Sequence, residues 1–322
     1  MYSAKLLTPE DYENFEVIYD DFCAKAKTEY NFELDPIDYD GFLDSVEKKI
    51  IECIVLYDNH RLVGFLVYTT AISEAIELNL IHCTDSNKYV EHSTELLKKF
   101  LELTQDLRKQ KIVCYPMLGN QNALIGTIVK LGFQFVGIEV LRFKMHGTNS
   151  KELFARARVA ELPAGYKVVK WNSRYFNDAV NVIQKSFDKS SDALFDPRFK
   201  SISGCRDILY KVVHDIYAKF LPDATSVLLY EDKPVGFSFM NLTNDSIVNI
   251  PLVGILDEHQ GKGLSTIMLK HSMDEILENR VMSKVTEINT TTETDNLQAL
   301  RLYKNLGFIE DYNYPQAYMP IG

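Results

Sequence analysis

The sequence predicts an α/β chain of the α+β kind: two tandem copies of one domain, each a mixed, mostly antiparallel sheet flanked by helices. Three observations carry this. The chain has 322 residues, enough for two domains that each bury a core. Runs of strand period alternate with runs of helical period along both halves. The same landmarks also appear twice in the same order: Gly64 and Gly236 lie 172 residues apart, and Leu131 and Leu306 lie 175 apart. A repeat at one long offset is the signature of a duplicated domain.

In order along the chain, Lys5-Leu-Leu-Thr8 opens the first copy and helical periodicity follows over 9–26. Cys53-Ile-Val-Leu-Tyr57 reads as a strand, Asp58-Asn59-His60-Arg61 as a turn, and Leu62-Val-Gly-Phe-Leu-Val67 as the hairpin partner. The second copy repeats this as Ser226-Val-Leu-Leu-Tyr230, Glu231-Asp232-Lys233 and Pro234-Val-Gly-Phe-Ser-Phe239. Asn122 with Leu131-Gly132-Phe133 likewise matches Asn296 with Leu306-Gly307-Phe308. Helical patterns in the second copy cover 178–187, 205–220, 265–279 and 297–305. Gly147, Thr148, Asn149, Ser150, Pro163 and Gly165 are turn residues, so the expected organisation is a first domain at 1–146, a linker at 147–165 holding a short helix over 151–160, and a second domain at 166–322.

Apolar residues make up 46% and charged residues 25%, an ordinary globular composition. The formal net charge of −10 argues against a nucleic-acid partner and mildly favours a neutral or cationic ligand. Five widely spaced cysteines with no CxxC, and histidines with no HxxxH, offer neither a disulfide framework nor a metal site. The chain has no apolar stretch of about 18 residues to span a membrane, and Glu10, Asp11 and Glu13 break up any signal-peptide core. A cytoplasmic location is the resulting expectation. Oligomeric state leaves no mark in the sequence.

The most informative segment is Asn249-Ile-Pro-Leu-Val-Gly-Ile-Leu-Asp-Glu-His-Gln-Gly-Lys-Gly-Leu-Ser265: an apolar strand, a short loop and the start of a helix. Backbone N–H groups at a helix N-terminus have no partners of their own, and small residues let a phosphate approach them. Gln260, Gly261, Lys262, Gly263, Leu264 and Ser265 therefore read as a diphosphate cradle, with a plain strand-to-helix turn as the alternative. The loop is not a Walker motif, because six residues separate Gly254 from Gly261-Lys262 and Gly263 follows the lysine. Further on, a strand over 284–292 leads to Asp295-Asn-Leu-Gln-Ala-Leu-Arg-Leu-Tyr-Lys-Asn-Leu-Gly-Phe308. There Asp295 and Gln298 resemble a capping box, and Gly307 can stop the helix.

Gln-x-x-Gly-x-Ser at Gln260 to Ser265, followed by Asn-x-x-Ala-x-x-x-Tyr-x-x-x-Gly-Phe at Asn296 to Phe308, resembles the GCN5-related N-acetyltransferase (GNAT) family. Ser265 replaces the usual Gly or Ala and is small enough to keep the cradle. The resemblance implies tandem GNAT folds using acetyl-CoA as co-substrate, with no metal, to acetylate directly an amine of a small molecule or peptide. It implies a strand that splays from its neighbour, with the backbones of Val253 and Ile255 meeting the pantetheine arm and the acetyl carbonyl. Pro251 suits such an irregular strand, or else marks its start. Tyr303 falls on the family's general-acid tyrosine, a core position in an amphipathic helix being the alternative. Asn296 falls beside the cofactor or caps the helix. Many relatives place a glutamate base on the strand before the loop, but here no acidic residue lies between Ser246 and Leu256, so no base is assigned.

The first copy keeps the fold landmarks and loses the chemical ones. Its loop reads Cys83-Thr-Asp-Ser-Asn-Lys-Tyr-Val90, without glycine and with Asp85 to repel phosphate, and Ile128 replaces the tyrosine. A degenerate, structural half is the expectation. The competing functions are a non-catalytic acyl-CoA-binding protein and an aminoacyl transferase resembling the Fem type. The segment around 188–205, or else the first domain, is where acceptor choice would lie.

Overall fold

A computed structural model describes residues 1–32, 35–70, 75–146, 150–278 and 284–321. The elements of the first half are β1 (Tyr2–Leu6), α1 (Tyr12–Glu29), α2 (Tyr39–Glu47), β2 (Glu52–Asp58), β3 (Arg61–Thr69), β4 (Ile76–Cys83), α3 (Tyr89–Leu103), β5 (Val113–Pro116), α4 (Ile125–Lys130) and β6 (Gln134–Lys144). There follow α5 (Ser150–Ala155), β7 (Tyr166–Lys170), α6 (Phe176–Phe187), α7 (Asp192–Phe195), α8 (Ile202–Val213), β8 (Lys219–Phe220), β9 (Ser226–Tyr230) and β10 (Lys233–Ser238). The chain ends with β11 (Asn241–Thr243), β12 (Ile247–Asn249), β13 (Val253–Ile255), α9 (Leu264–Glu278), β14 (Glu287–Glu293), α10 (Leu297–Asn305) and β15 (Ile309–Met319).

The chain forms two compact units: Met1–Gly137 with Tyr314–Gly322, and Ile138–Asn313. These differ from the halves expected from sequence, because the last strand of each copy is exchanged. The part of β15 that belongs to the first unit pairs antiparallel with β5, from Gln316 opposite Pro116 to Met319 opposite Val113. The part of β6 that belongs to the second unit pairs antiparallel with β14, from Lys144 opposite Glu287 to Ile138 opposite Glu293. Strands bury the same apolar area beside any neighbour of matching pattern, so the repeat in sequence does not dictate which copy receives each strand.

In the first unit, β1 to β5 form a mixed sheet with helices on both faces. Phe15, Phe22 and Phe42 pack on one face against Phe65 and Val67. Leu96, Leu97, Phe100 and Ile128 pack on the other against Leu66 and Leu78. Alternate residues of β3 serve opposite faces, as strand geometry requires.

In the second unit, Val180, Ile183, Ile208 and Leu209 of α6 and α8 cover Val227, Leu229 and Phe237. Leu269 and Met273 of α9 and Leu300 and Tyr303 of α10 pack against Val248 and Ile288. The helix expected over 205–220 ends at Val213, because Asp215 takes a left-handed φ of 61° and its carboxylate accepts from Phe220 N–H. Of the linker expected at 147–165, Gly147, Thr148 and Asn149 lie outside the described residues. From the remainder, α5 packs into the second unit, burying Phe154 against Phe143, centroids 5.8 Å apart.

The five cysteines are free thiols. Among the described residues, no helix is long and apolar enough to cross a membrane. No group of three His, Cys, Asp or Glu among them is arranged to hold a metal ion.

Candidate functional site

The apolar strand expected ahead of the loop is two strands. β12 runs parallel to β14, with Ile247, Val248 and Asn249 opposite Glu287, Ile288 and Asn289. Ile250 N–H then donates to Asn289 O at 3.0 Å. Pro251 has no N–H with which to extend the ladder, and the chain continues as β13 at the edge of the other sheet, paired with β10. Because β14 runs on to Glu293, the two strands fork beyond Ile250 and Asn289.

The open edge of β13 has a defined set of groups. Phe239 N–H donates to Leu252 O and Leu256 N–H donates to Val235 O, both at 2.9 Å. Backbone direction alternates along a strand, so Leu252, Gly254 and Leu256 face β10, while Val253 and Ile255 face the fork. Ile255 O accepts from Gln260 Nε2 at 3.0 Å, which ties the loop to the strand. Gly254 lets α6 close on this edge, since a Cβ there would lie 3.0 Å from Ser186 Cβ and 3.3 Å from Phe187 Cε2.

A 3-10 turn, Asp257–His259, carries the chain into the loop. Gly261 and Gly263 have φ of +75° and +72°, a conformation that disfavours side chains. Among the described residues nothing accepts from the N–H groups of 261–266, and the first helical bond runs from Ile267 N–H to Gly263 O at 3.3 Å. Gly261, Lys262 and Gly263 are exposed, Leu264 is buried beneath them, and Ser265 is half-buried. Six outward amides at the head of a 15-residue helix make a ready oxyanion site. Lys262 Nζ lies 3.0 Å from Tyr166 Oη, whose other contact is His259 Nδ1 at 2.7 Å. The lysine charge is thus held on the Tyr166 side of the loop.

Tyr303 is buried at 6% exposure, its ring 5.3 Å from that of Phe308. Its hydroxyl lies near Thr290, whose Oγ1 donates to Ile250 O at 3.5 Å. The phenol therefore sits at the vertex of the fork. Burial pushes its pKa up, the Asp192 carboxylate adds to the rise, and the Thr290 contact offsets part of it. Asn296 caps α10 by accepting from Ala299 N–H at 3.1 Å, and is exposed. The Asp295–Gln298 capping box does not form, because Asp295 O instead accepts from Leu297 N–H at 2.8 Å and the helix starts one residue later.

Two acids join this site that no local motif revealed. Asp192, at the start of α7, has its pKa raised by burial and by the charge of Asp196. Its side chain is nonetheless exposed, so solvent screens part of this effect. Glu293, at the end of β14, is raised by burial, then by Asp295, and also by Asp192. Asp192 thus acts electrostatically on both Tyr303 and Glu293. By strand alternation Glu293 lies on the face of β14 opposite Ile288 and Thr290. Neighbouring Asp196 is engaged by Arg198 at 2.6 Å. Carboxyls with raised pKa that act on one another, one of them also on a buried phenol, are candidates for proton transfer.

The first unit has a fork without this chemistry. β4 pairs with β5 only at Ile76 and Glu77. Where the second unit has free amides, Asp85 caps its own loop: its carboxylate accepts from Asn87 N–H at 3.0 Å and its carbonyl accepts from Lys88 N–H at 3.1 Å. Ile128 is fully buried, and Tyr115 and Tyr89 both bond Gln121 Oε1.

Residues 196–308 match the acetyltransferase (GNAT) family. The chain carries a GNAT domain. That match covers both the amide-lined loop and Tyr303. Its members are generally acyl-CoA-dependent N-acetyltransferases. Among solved structures, a tandem GNAT protein from the clavulanic acid biosynthesis pathway matches 100% of this chain and 99% of its own, with a TM-score of 0.62 and 14% identity. A GCN5-related N-acetyltransferase from Sphaerobacter thermophilus matches 99% of this chain and 96% of its own, with a TM-score of 0.65 and 13% identity. Both likenesses concern the fold, and they extend the tandem GNAT architecture over the full chain. No curated protein sequence matches it.

Proposed function

We propose that the chain is an acetyl-CoA-dependent N-acetyltransferase that passes the acetyl group directly to an amine of a small molecule or peptide in the cytoplasm. The observation that carries this is the continuity of the fork with the loop: the open edge at Val253 and Ile255 leads straight to six unpartnered amides at residues 261–266. A diphosphate at the amides and an extended arm along the edge would use both at once, with Gln260 and Ser265 framing the loop and Asn296 offering its exposed carboxamide.

Acetyl-CoA would supply an activated thioester. The chain's own residues do the rest. An N–H of Val253 or Ile255 polarises the acetyl carbonyl and steadies the oxyanion that develops there. Tyr303, kept protonated through neutral pH by its burial, donates to the departing sulfur. Asp192 and Glu293 hold the acceptor ammonium and take its proton, directly or through water, so that the attacking amine is neutral. Their negative charge favours a cationic acceptor over a neutral one.

Thiol release from acetyl-CoA with a panel of amines tests this reading, with polyamines and basic peptides expected ahead of neutral amines. Tight CoA binding without turnover on any amine would instead favour a non-catalytic acyl-CoA-binding protein.

A further inference from the structure

The segment between α5 and β7 runs beside the amide loop. A Cβ on Gly263 would lie 3.4 Å from Ala160 Cβ. Two residues earlier, Asn305 at the end of α10 grips Arg158 by both backbone groups: Arg158 N–H donates to Asn305 Oδ1 at 3.1 Å, and Asn305 Nδ2 donates to Arg158 O at 2.9 Å. The segment therefore bridges the head of α9 and the tail of α10, fastened at one side and in contact at the other. Two residues of chain reach at most about 7 Å, so Arg158 stands close to the loop. Its side chain is exposed and, among the described residues, has no carboxylate partner.

Resting on the cradle reading above, we propose that Arg158 is a binding residue for the phosphate monoester on the ribose of coenzyme A. The amides of 261–266 are suited to the diphosphate, but a helix terminus holds charge only within its first turn. The ribose phosphate needs a separate cation within a few ångströms. A guanidinium is the group that pairs with a phosphate through two parallel N–H donors, and Asn305 holds this one's backbone in place.

The test is calorimetric binding of CoA and of 3′-dephospho-CoA to the full chain. Wild type is expected to prefer CoA about tenfold or more, the effect of a charge-assisted hydrogen bond. Arg158→Gln is expected to abolish that preference while leaving 3′-dephospho-CoA affinity unchanged, and Asn305→Ala to reduce it through loss of positioning. Equal affinities in wild type, or a preference that survives Arg158→Gln, would overturn the assignment and leave the acetyltransferase reading intact. If neither nucleotide binds wild type, the cradle itself fails, and this inference with it.

Discussion

Ile250 N–H donates to Asn289 O at 3.0 Å, and beyond this bond the strands that carry the two residues go to different neighbours. Pro251 follows at once. A residue able to donate there could extend the ladder and close the fork, so the position of one proline sets where the fork opens.

Tyr303 lies at the vertex of that fork, and its ring is core while its hydroxyl is not. Tyr303→Phe keeps the packing against Phe308 and removes only the donor. Turnover should fall about 10²-fold, as for loss of a general acid, with CoA affinity changed less than about twofold in calorimetry. An unaltered rate would take Tyr303 out of the mechanism.

Gly263 separates conformation from charge. With φ at +72°, Gly263→Ala should cost about 1 kcal/mol of stability, read as a lower midpoint in thermal unfolding. Gly263→Asp adds a negative charge among amides suited to phosphate and should weaken CoA binding far more than Gly263→Ala does. Circular dichroism should show both variants folded. Equal CoA affinity in the two variants would mean that the amides are not the cradle.

The raised pKa values of Asp192 and Glu293 make two pH statements with opposite sign. Proton acceptance requires the ionised form, so kcat/KM should rise with pH through a limb above the ordinary carboxylate range. Stability runs the other way. A carboxyl whose pKa is raised by folding binds more protons in the native state, so its contribution falls as pH climbs from the ordinary value through the raised one. Asp192→Asn should therefore raise the thermal midpoint at pH 7 relative to pH 3 while lowering turnover. A variant that loses stability equally at both values would show Asp192 to be structural.

Strand exchange makes the repeat boundary a poor place to cut. A fragment of residues 166–322 lacks the part of β6 that pairs with all seven residues of β14 from Glu287 to Glu293, and it lacks Arg142, which bonds both Glu287 and Asp311. It also lacks Phe154, packed in the core beside Phe143 and Phe308. Such a fragment should show no cooperative unfolding transition by circular dichroism, whereas the full chain does. A well-folded fragment would show that the exchanged strand is dispensable.

Much of the fold and half of the site could be read from the sequence, and the division follows interaction range. The hairpins at Gly64 and Gly236, the amide loop at 260–265 and the helix bearing Tyr303 are set by residues next to one another: apolar period, left-handed glycines and helix ends all act within a few positions. The tertiary structure alone decided the rest. Which copy receives β6 and β15, where the strand breaks at Pro251, how Asp192 comes to act on Glu293 a hundred residues away, and how Asn305 fastens Arg158 all depend on which distant segments pack together. Equivalent strands of a duplicated domain offer nearly the same local energy to either partner, so only the packing of the full chain distinguishes them.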